Sequence, residues 1–285
     1  MDLKTAIDSL PSLKTTVDAY NLMAKKSLGQ NFLLDRNITD KIIQSSLKKQ
    51  GLTSFNGSHI FEVGPGPGGL TRSILCSNPN KLTVIELDER CIKIMQDIQS
   101  KTGEILEIVN HDALLYNFSF DENLPKHIIS NLPYNISVPL LTKWLQDISK
   151  YRSLTLMFQK EVADRITAPI KTKNYGRISI LSQLQCKITK LLDLNPECFT
   201  PAPKIWSSVL LFQPSETPLN INEISNLEKL TAQTFSMRRK MIRQSLKSVK
   251  NLDSICEEIG LLPTMLPEES SPSQLLTLSK KIAAY

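Results

Sequence analysis

The sequence predicts an α/β protein built on an open sheet with parallel strands, and three observations support that expectation. A glycine-rich turn, Gly64-Pro65-Gly66-Pro67-Gly68-Gly69, joins an apolar run at 60–63 to a helical segment through Ile74 and Leu75. Two further strand candidates each end in an acid, Glu86 and then Asp112. A fourth apolar run, His127-Ile128-Ile129, opens into Ser130-Asn131-Leu132-Pro133-Tyr134-Asn135-Ile136-Ser137. A β-rich run followed by a polar residue, Pro and an aromatic reads as the carboxyl end of a buried parallel strand, where open α/β sheets place their ligands.

With 285 residues and 41% hydrophobic content, the chain can bury a full core and has room for a large domain and a smaller one. Lys and Arg outnumber Asp and Glu by 34 to 28, a formal charge of +6 that suits an anionic partner without requiring one. No run approaches the roughly 18 consecutive apolar residues of a membrane span. The N-terminal stretch carries Asp2, Asp8 and Asp18 without an apolar core, so no signal or transit peptide is expected. The five cysteines are odd in number and scattered, and His59, His111 and His127 show no metal-ligand spacing. We therefore expect no disulfide framework, no metal and a reducing cytoplasm.

Taken in order, residues 1–22 carry a loose helical pattern, Ile7, Leu10 and Leu13, interrupted by Pro11, and read as a poorly ordered extension. A basic segment follows, Lys25-Lys26-Ser27-Leu28-Gly29-Gln30-Asn31-Phe32-Leu33, whose Gln, Asn and Phe suit a loop that closes over a ligand. Asp35 suits the N-cap of a helix carrying Ile38, Ile42, Ile43 and Leu47. The glycine turn lets backbone N–H groups and a helix dipole approach a ligand without Cβ obstruction.

Glu86 tips the strand at 82–85, about twenty residues beyond that turn. In a βαβ unit this spacing puts the acid beside the glycine loop, where it can accept both hydroxyls of a ribose. A helix through Ile92, Met95 and Ile98 leads to the strand at 105–109, and Asp112 beyond it can accept from the exocyclic amine of an adenine. The pair points to an adenosine-containing cofactor. Two acids at successive strand tips also discriminate: NAD needs a pyrophosphate cradle in neutral or basic surroundings, whereas S-adenosylmethionine has no phosphate and carries a positive sulfonium.

The fourth strand opens into an amide at Asn131, carbonyls at Leu132 and Pro133 that the proline ring helps to hold still, and the flat face of Tyr134. Together they can grip a planar base with an exocyclic amine. A fifth strand at 154–159 runs into a helix start at 160–166. From 150 to 190 there are nine Lys or Arg against two acids, Glu161 and Asp164, an excess of seven against six for the whole chain. This segment, with Arg165 and Arg177, reads as a phosphate-facing surface.

Phe199-Thr200-Pro201-Ala202-Pro203-Lys204 precedes a strand at 205–212, and its prolines stiffen an approach suited to holding Phe199 over a pocket. After a linker at 214–222 the tail looks helical. Over 235–250, Phe235, Ile242, Leu246 and Val249 share one helical face, and Arg239, Arg243, Lys247 and Lys250 form an adjoining basic stripe that can touch phosphates.

These motifs resemble those of the small-subunit ribosomal RNA adenine N6-dimethyltransferase family, over about residues 23–250. The marks are Lys-Lys-Ser-Leu-Gly-Gln-Asn-Phe-Leu at 25–33, Glu-Val-Gly-Pro-Gly-Pro-Gly-Gly-Leu-Thr at 62–71 and Asn-Leu-Pro-Tyr-Asn-Ile-Ser at 131–137. Gln-Lys-Glu-Val-Ala-Asp-Arg at 159–165, the Pro-x-Pro-Lys segment and Arg-Arg-Lys at 238–240 support them.

The resemblance implies a class I methyltransferase (Rossmann-like) fold, a seven-stranded, mostly parallel sheet with an antiparallel final hairpin and a small C-terminal helical domain. On that reading residues 1–22 are an N-terminal extension, 23–214 the S-adenosylmethionine-dependent methyltransferase domain and 215–285 a small helical RNA-binding domain. The implied activity is N6,N6-dimethylation of two adjacent adenosines near the 3′ end of small-subunit (16S) ribosomal RNA. A cytoplasmic monomer acting on the small ribosomal subunit, with a part in its biogenesis, is expected. By resemblance Asn31 and Leu33 contact the cofactor, Gly64 and Gly66 line its methionine end, Glu86 holds the ribose, Asp112 reads the adenine, and Asn131 borders both cofactor and target.

The chemistry explains the loop. Adenine N6 is a poor nucleophile because its lone pair is delocalised into the ring, so acceptors that draw on its N–H groups favour a tetrahedral nitrogen. Asn131 Oδ1 and the carbonyl of Leu132 or Pro133 suit that role. Tyr134 is expected to stack on the extruded base, with Phe199 on its other face. One departure is Trp206, where the family usually has a small or acidic polar residue before the serines, which puts the local edge packing in question.

Related enzymes that modify a single adenine of large-subunit RNA and confer antibiotic resistance share the Asn-x-Pro-Tyr and Pro-x-Pro-Lys segments. The fuller 25–31 segment and the Arg-Arg-Lys tail favour the small-subunit reading. Intact Glu86, Asp112 and Asn131 argue against a binding protein without chemistry, and a nicotinamide-dependent dehydrogenase gives no reason for the Asn-Leu-Pro-Tyr loop.

Overall fold

The structure is a computed structural model that describes residues 3–23, 30–118 and 123–284. Two helices, α1 (Leu3–Asp8) and α2 (Leu13–Ala19), precede a two-residue strand β1 (Phe32–Leu33) and the long helix α3 (Arg36–Gln50). Asp35 caps α3 as expected, its side chain accepting the Asn37 N–H, and Gly51 closes it in the left-handed region at φ +70°. There follow β2 (His59–Val63), α4 (Gly69–Cys76), β3 (Lys81–Glu86), α5 (Glu89–Thr102), β4 (Leu106–Asn110), β5 (Lys126–Ser130), α6 (Tyr134–Gln146) and β6 (Ser153–Gln159). Then come α7 (Lys160–Ile166), α8 (Arg177–Gln185), β7 (Cys186–Leu194), the short β8 (Phe199–Thr200) and β9 (Ser207–Pro214).

Seven of these strands form one sheet in the order β4-β3-β2-β5-β6-β9-β7, and β1 pairs separately with β8. β2, β3, β4, β5 and β6 run parallel, whereas β9 lies antiparallel to β6. This is the mostly parallel sheet the sequence predicts. Its strand β7 was not singled out from local pattern, because its burial follows no clean alternation. The chain crosses from one half of the sheet to the other between β4 and β5, so the carboxyl ends of β2 and β5 flank the switch point, the usual place for a ligand in such folds.

Both central strands are buried along their whole length, polar residues included. The two histidines among them pair sideways across the sheet, as burial requires. His59 Nε2 meets Thr83 Oγ1 at 2.8 Å, and His127 Nδ1 meets Ser153 Oγ at 2.8 Å. Burial pushes the His127 imidazole down to about 4, so it is neutral in the folded sheet.

The chain divides into two compact units: residues 1–143, 150–160 and 189–213 make one, and 144–149, 161–188 and 214–285 the other. The second unit adds the helices α9 (Ile221–Ser236), α10 (Ile242–Ser245), α11 (Leu252–Glu258) and α12 (Pro272–Ala283). Its core holds Ile224, Leu227, Leu275 and Leu278, and the buried Tyr175 hydroxyl donates to Ser270 O at 3.0 Å. Among the described residues no helix is long and apolar enough to cross a membrane.

Two sequence expectations are corrected. The segment 235–250 is not one helix: α9 stops at Ser236 and only the four residues of α10 are helical before a run of turns. Tertiary hydrogen bonds take the chain out of the helix, since the Ile242 and Arg243 N–H groups donate to Met265 O at 2.9 Å and Pro263 O at 3.0 Å. The expected apolar and basic sides survive in part, with Ile242 and Leu246 buried and Arg239, Arg243, Lys247 and Lys250 exposed.

The second correction concerns the N-terminal residues, which are helical and packed rather than loose. Ser12 caps α2, and Ala6, Ile7, Leu13 and Leu22 are buried, Ile7 and Leu22 within the main apolar cluster. The buried Arg72 of α4 anchors the connection, donating from Nη1 to Pro11 O at 2.6 Å and from Nη2 to Thr16 Oγ1 at 3.3 Å. Pro11, which looked like a helix breaker, leaves its carbonyl at the bend free to be gripped. Ile7→Ala should therefore lower the unfolding free energy by about 2–4 kcal/mol in a urea titration. A change below about 0.5 kcal/mol would show that α1 adds nothing to the core.

Candidate active site

A cavity of about 280 Å³ opens at the carboxyl edge of the sheet within the first unit. Its wall brings together Asn31, Leu33, Gly64, Gly66, Glu86, Asp112, Asn131, Leu132, Pro133 and Tyr134, ten of the residues singled out from sequence. They come from five places along the chain: β1 with the residue before it, the turn after β2, the tip of β3, the turn after β4, and the loop after β5.

The glycine turn is shaped by contact as much as by conformation. Gly66 adopts φ +56°, and a Cβ there would lie 3.0 Å from the Phe32 ring. At Gly69 a Cβ would lie 2.3 Å from the Leu33 carbonyl oxygen, so β1 rests directly on the first turn of α4. The segment 24–29, part of the expected closing loop, lies outside the described residues. Gln30, just after it, reaches Asp88 Oδ2 with its Nε2 at 3.1 Å.

The Glu86 carboxylate is held by its own strand tip, accepting the N–H of Leu87 at 2.7 Å and of Asp88 at 2.9 Å, and it also takes a backbone hydrogen bond from Gly66. Burial raises its pKa while those three donors oppose the rise. Asp88 behaves oppositely: Arg90, at 2.6 Å, and Gln30 hold its carboxyl down to about 2. Asp112 uses Oδ1 to cap the Leu114 N–H at 2.8 Å. Glu62, fully buried on β2, also borders the cavity; it accepts from Thr71 Oγ1 at 2.7 Å, and burial pushes its carboxyl up to about 8.

Asn131 Nδ2 donates to the Asn31 carbonyl at 3.1 Å, which commits the nitrogen to the protein and leaves Oδ1 as the end able to accept. Pro133 O takes the Ile136 N–H at 3.1 Å at the start of α6. The Tyr134 hydroxyl pairs with the buried Ser207 Oγ at 2.7 Å, a tether from β9 that no local sequence signal announced. Ser130 is another such residue: its Oγ accepts the Val63 N–H at 2.8 Å and lies 2.6 Å from Val63 O.

Phe199 is not part of the cavity wall. It is 4% exposed in the apolar cluster, where β8 pairs it with Leu33, so strand pairing turns the ring into the core. Trp206 is exposed at the edge beside the Tyr134 tether, and its carbonyl accepts the Lys160 N–H at 2.8 Å. The large side chain thus creates no internal packing demand. Of the residues read as phosphate-facing, Arg165, Arg177, Arg239, Arg243 and Lys247 all lie in the second unit and are exposed. Lys160 and Lys190, in the first, share Asp193 at 3.7 and 3.0 Å, which offsets part of the local basic excess.

Chemically, the cavity wall combines three carboxyl groups, Glu62, Glu86 and Asp112, with backbone donors of a glycine turn, and among the described residues it contains neither Lys nor Arg. Such a wall suits a ligand with hydroxyls, an amine and positive charge, and offers a phosphate no counter-charge. Among the described residues no group of three or more His, Cys, Asp or Glu is placed to hold a metal ion.

A family model described as Ribosomal RNA adenine dimethylase matches residues 21–284. The chain is 41% identical over 281 residues to Ribosomal RNA small subunit methyltransferase A of Cereibacter sphaeroides, covering 98% of this chain and 99% of that protein. It is 38% identical to the protein of the same description from Rhodospirillum rubrum, over 99% of this chain and 96% of the other. Among solved structures, a dimethyladenosine transferase from Plasmodium falciparum superposes with a TM-score of 0.72 at 25% identity, over 88% of this chain and 96% of that one. The 23S rRNA methyltransferase ErmE, at 21% identity and TM-score 0.65 over 89% of this chain and all of that one, shares the fold.

The state of Glu62 has a measurable consequence. Its carboxyl holds a proton up to about 8 in the folded chain, against 4.5 when exposed. The raised folded value means that its contribution to stability is full below 4.5 and is lost as the pH rises through 8. The urea midpoint of the wild type should fall between about pH 6 and about pH 9, and Glu62→Gln, which keeps an acceptor for Thr71, should flatten that fall. An equal fall in both proteins would remove Glu62 as its source.

Proposed function

This chain belongs to the ribosomal RNA adenine dimethylase family, and from that premise we propose that it transfers methyl groups from S-adenosylmethionine to N6 of two adjacent adenosines near the 3′ end of small-subunit (16S) ribosomal RNA. The observation that carries the reading is the joining of the Asn131–Tyr134 loop to Glu86 and Asp112 in one cavity wall. When bound, S-adenosylmethionine supplies an electrophilic methyl group on a positively charged sulfur.

In this reading Glu86, pinned by three backbone donors, accepts the ribose hydroxyls. Asp112 accepts the adenine amine with the oxygen it does not spend on Leu114. Asn31 and Leu33 close one side, and Gly64 and Gly66 bring main chain against the methionine end. Asn131, with its nitrogen tied to Asn31 O, turns Oδ1 toward the N–H groups of the target amine. Leu132 O is the better second acceptor, since Pro133 O already serves Ile136. Tyr134, tethered through Ser207, offers its ring to the extruded base at little further loss of side-chain freedom. Positioning and electrostatic complementarity supply the rate enhancement.

The exposed arginines and Lys247 of the second unit provide the RNA-contacting surface, so that unit serves as the RNA-binding part and the first as the methyltransferase part. The protein acts as a cytoplasmic monomer on the small ribosomal subunit, with a role in its biogenesis.

Incubation with labelled S-adenosylmethionine and separate unmodified small and large subunits, followed by nucleoside analysis, should yield N6,N6-dimethyladenosine from the small subunit; its absence there would overturn the reading. Asn131→Ala should reduce kcat by roughly 100-fold or more while S-adenosylhomocysteine binding changes by less than about twofold. Equal losses in both would make Asn131 a cofactor ligand alone. Arg239→Ala combined with Arg243→Ala should weaken subunit binding and reduce the salt slope of log K by about 1–2. An unchanged slope would mean that these side chains face water only.

A further inference from the structure

Lys143 lies on α6, nine residues after Tyr134, with its ammonium among the carbonyls of the loop that follows Asp112. Its Nζ donates to Ala113 O at 3.3 Å, Leu114 O at 2.7 Å and Tyr116 O at 2.6 Å. An ammonium has three N–H donors, and three main-chain acceptors take them all. The Phe118 ring lies beneath the charge, 5.4 Å from Nζ to its centroid.

The loop so held is part of the cavity. Ala113 and Leu114 line it together with Asp112 and His111. From the other side, Asp112 binds the same turn: its Oδ1 caps Leu114, and its carbonyl accepts the N–H groups of Leu115 at 3.0 Å and Tyr116 at 2.8 Å. The turn's N–H groups thus face the acid and its carbonyls converge on the lysine. Neither set fixes the turn without the other, because a three-residue turn with unpaired carbonyls has alternatives that rotate the Asp112 carboxylate. Burial lowers the pKa of the Lys143 ammonium, and the Asp112 carboxylate opposes that fall.

We infer that Lys143 is a positioning residue for cofactor recognition: by collecting three carbonyls of the 113–116 turn it fixes the direction of Asp112 and so sets the preference for an adenine over a base lacking the exocyclic amine. This deepens the proposed reading and rests on Asp112 as the adenine-facing acid. Because Lys143 shares α6 with Tyr134, the same helix that begins at the target-base loop also holds the cofactor-base loop.

The test compares wild type, Lys143→Met and Lys143→Arg by calorimetric binding of S-adenosylhomocysteine and of its inosine analogue, which lacks the amine. The wild type should bind the amine-bearing ligand more tightly by about tenfold, the worth of one net hydrogen bond. Lys143→Met keeps the stem and loses the donors, so the ratio between the two ligands should fall to within about twofold. KM for S-adenosylmethionine should rise while kcat at saturation is held within about twofold. Lys143→Arg, which retains charge but presents a planar fork to three converging carbonyls, should give an intermediate ratio, and it carries the test if Lys143→Met does not fold. A wild-type ratio preserved in the variants, with overall affinity lowered or not, overturns the inference, because a general loosening of the fold would weaken both ligands alike. Failure of the wild type to bind S-adenosylhomocysteine at all would instead overturn the cofactor assignment beneath it.

Discussion

The site depends on how β2 and β5 part company. Their backbone ladder runs as far as Phe61 opposite Ile128. Beyond it a side chain substitutes for the missing backbone partner: the Ser130 hydroxyl satisfies the Val63 N–H and meets the Val63 carbonyl. A serine can do this because it is both donor and acceptor on a short stem. The strands diverge without orphaning buried polar groups, and the crevice so opened receives the glycine turn on one side and Asn131 to Tyr134 on the other. An Ala at 130 would leave Val63 to find water inside the sheet, the unfavourable case for a buried amide.

Charge is distributed around this opening in a graded way. Glu62 at the base of the cavity keeps its proton, Glu86 is ionisable but restrained by backbone donors, and Asp88 just outside is firmly ionised by Arg90. These three acids, from β2, the tip of β3 and the turn after it, thus have three different environments: burial raises Glu62 and Glu86, whereas the Arg90 hydrogen bond lowers Asp88. The arrangement places negative charge where a ligand can meet it and a neutral acid where charge would be most costly.

What could be read from the sequence is what lies next to a strand end. The glycine turn, Glu86, Asp112 and the Asn131 to Tyr134 loop announce themselves because strand, turn and chemistry are contiguous in the chain, and all of them reach one cavity. Six strands of the sheet followed from the same punctuation, whereas the seventh, β7, was implied only by the family resemblance. What could not be read depends on contacts distant in sequence. Phe199 looked poised over a pocket until its pairing with Leu33 sent it into the core. The helix expected over 235–250 yields to hydrogen bonds with 263–265. Residues 3–22 are held in part by Arg72, an α4 residue with no local sign of that task. Ser207 and Lys143 reach the site from β9 and from the last turn of α6 for the same reason.

The contact between Asn131 and Asn31 has a consequence for sequence variation. The acceptor is a main-chain carbonyl, present whatever residue occupies position 31. The contact therefore places no demand on the side chain there, and the two positions have no need to change together. Position 131 is different. An aspartate would set an oxygen against the carbonyl that now accepts an amide N–H, and the carboxylate would have to swing away from the loop. An amide is required at one end of this pair, whereas at the other the contact itself asks only for a main-chain carbonyl.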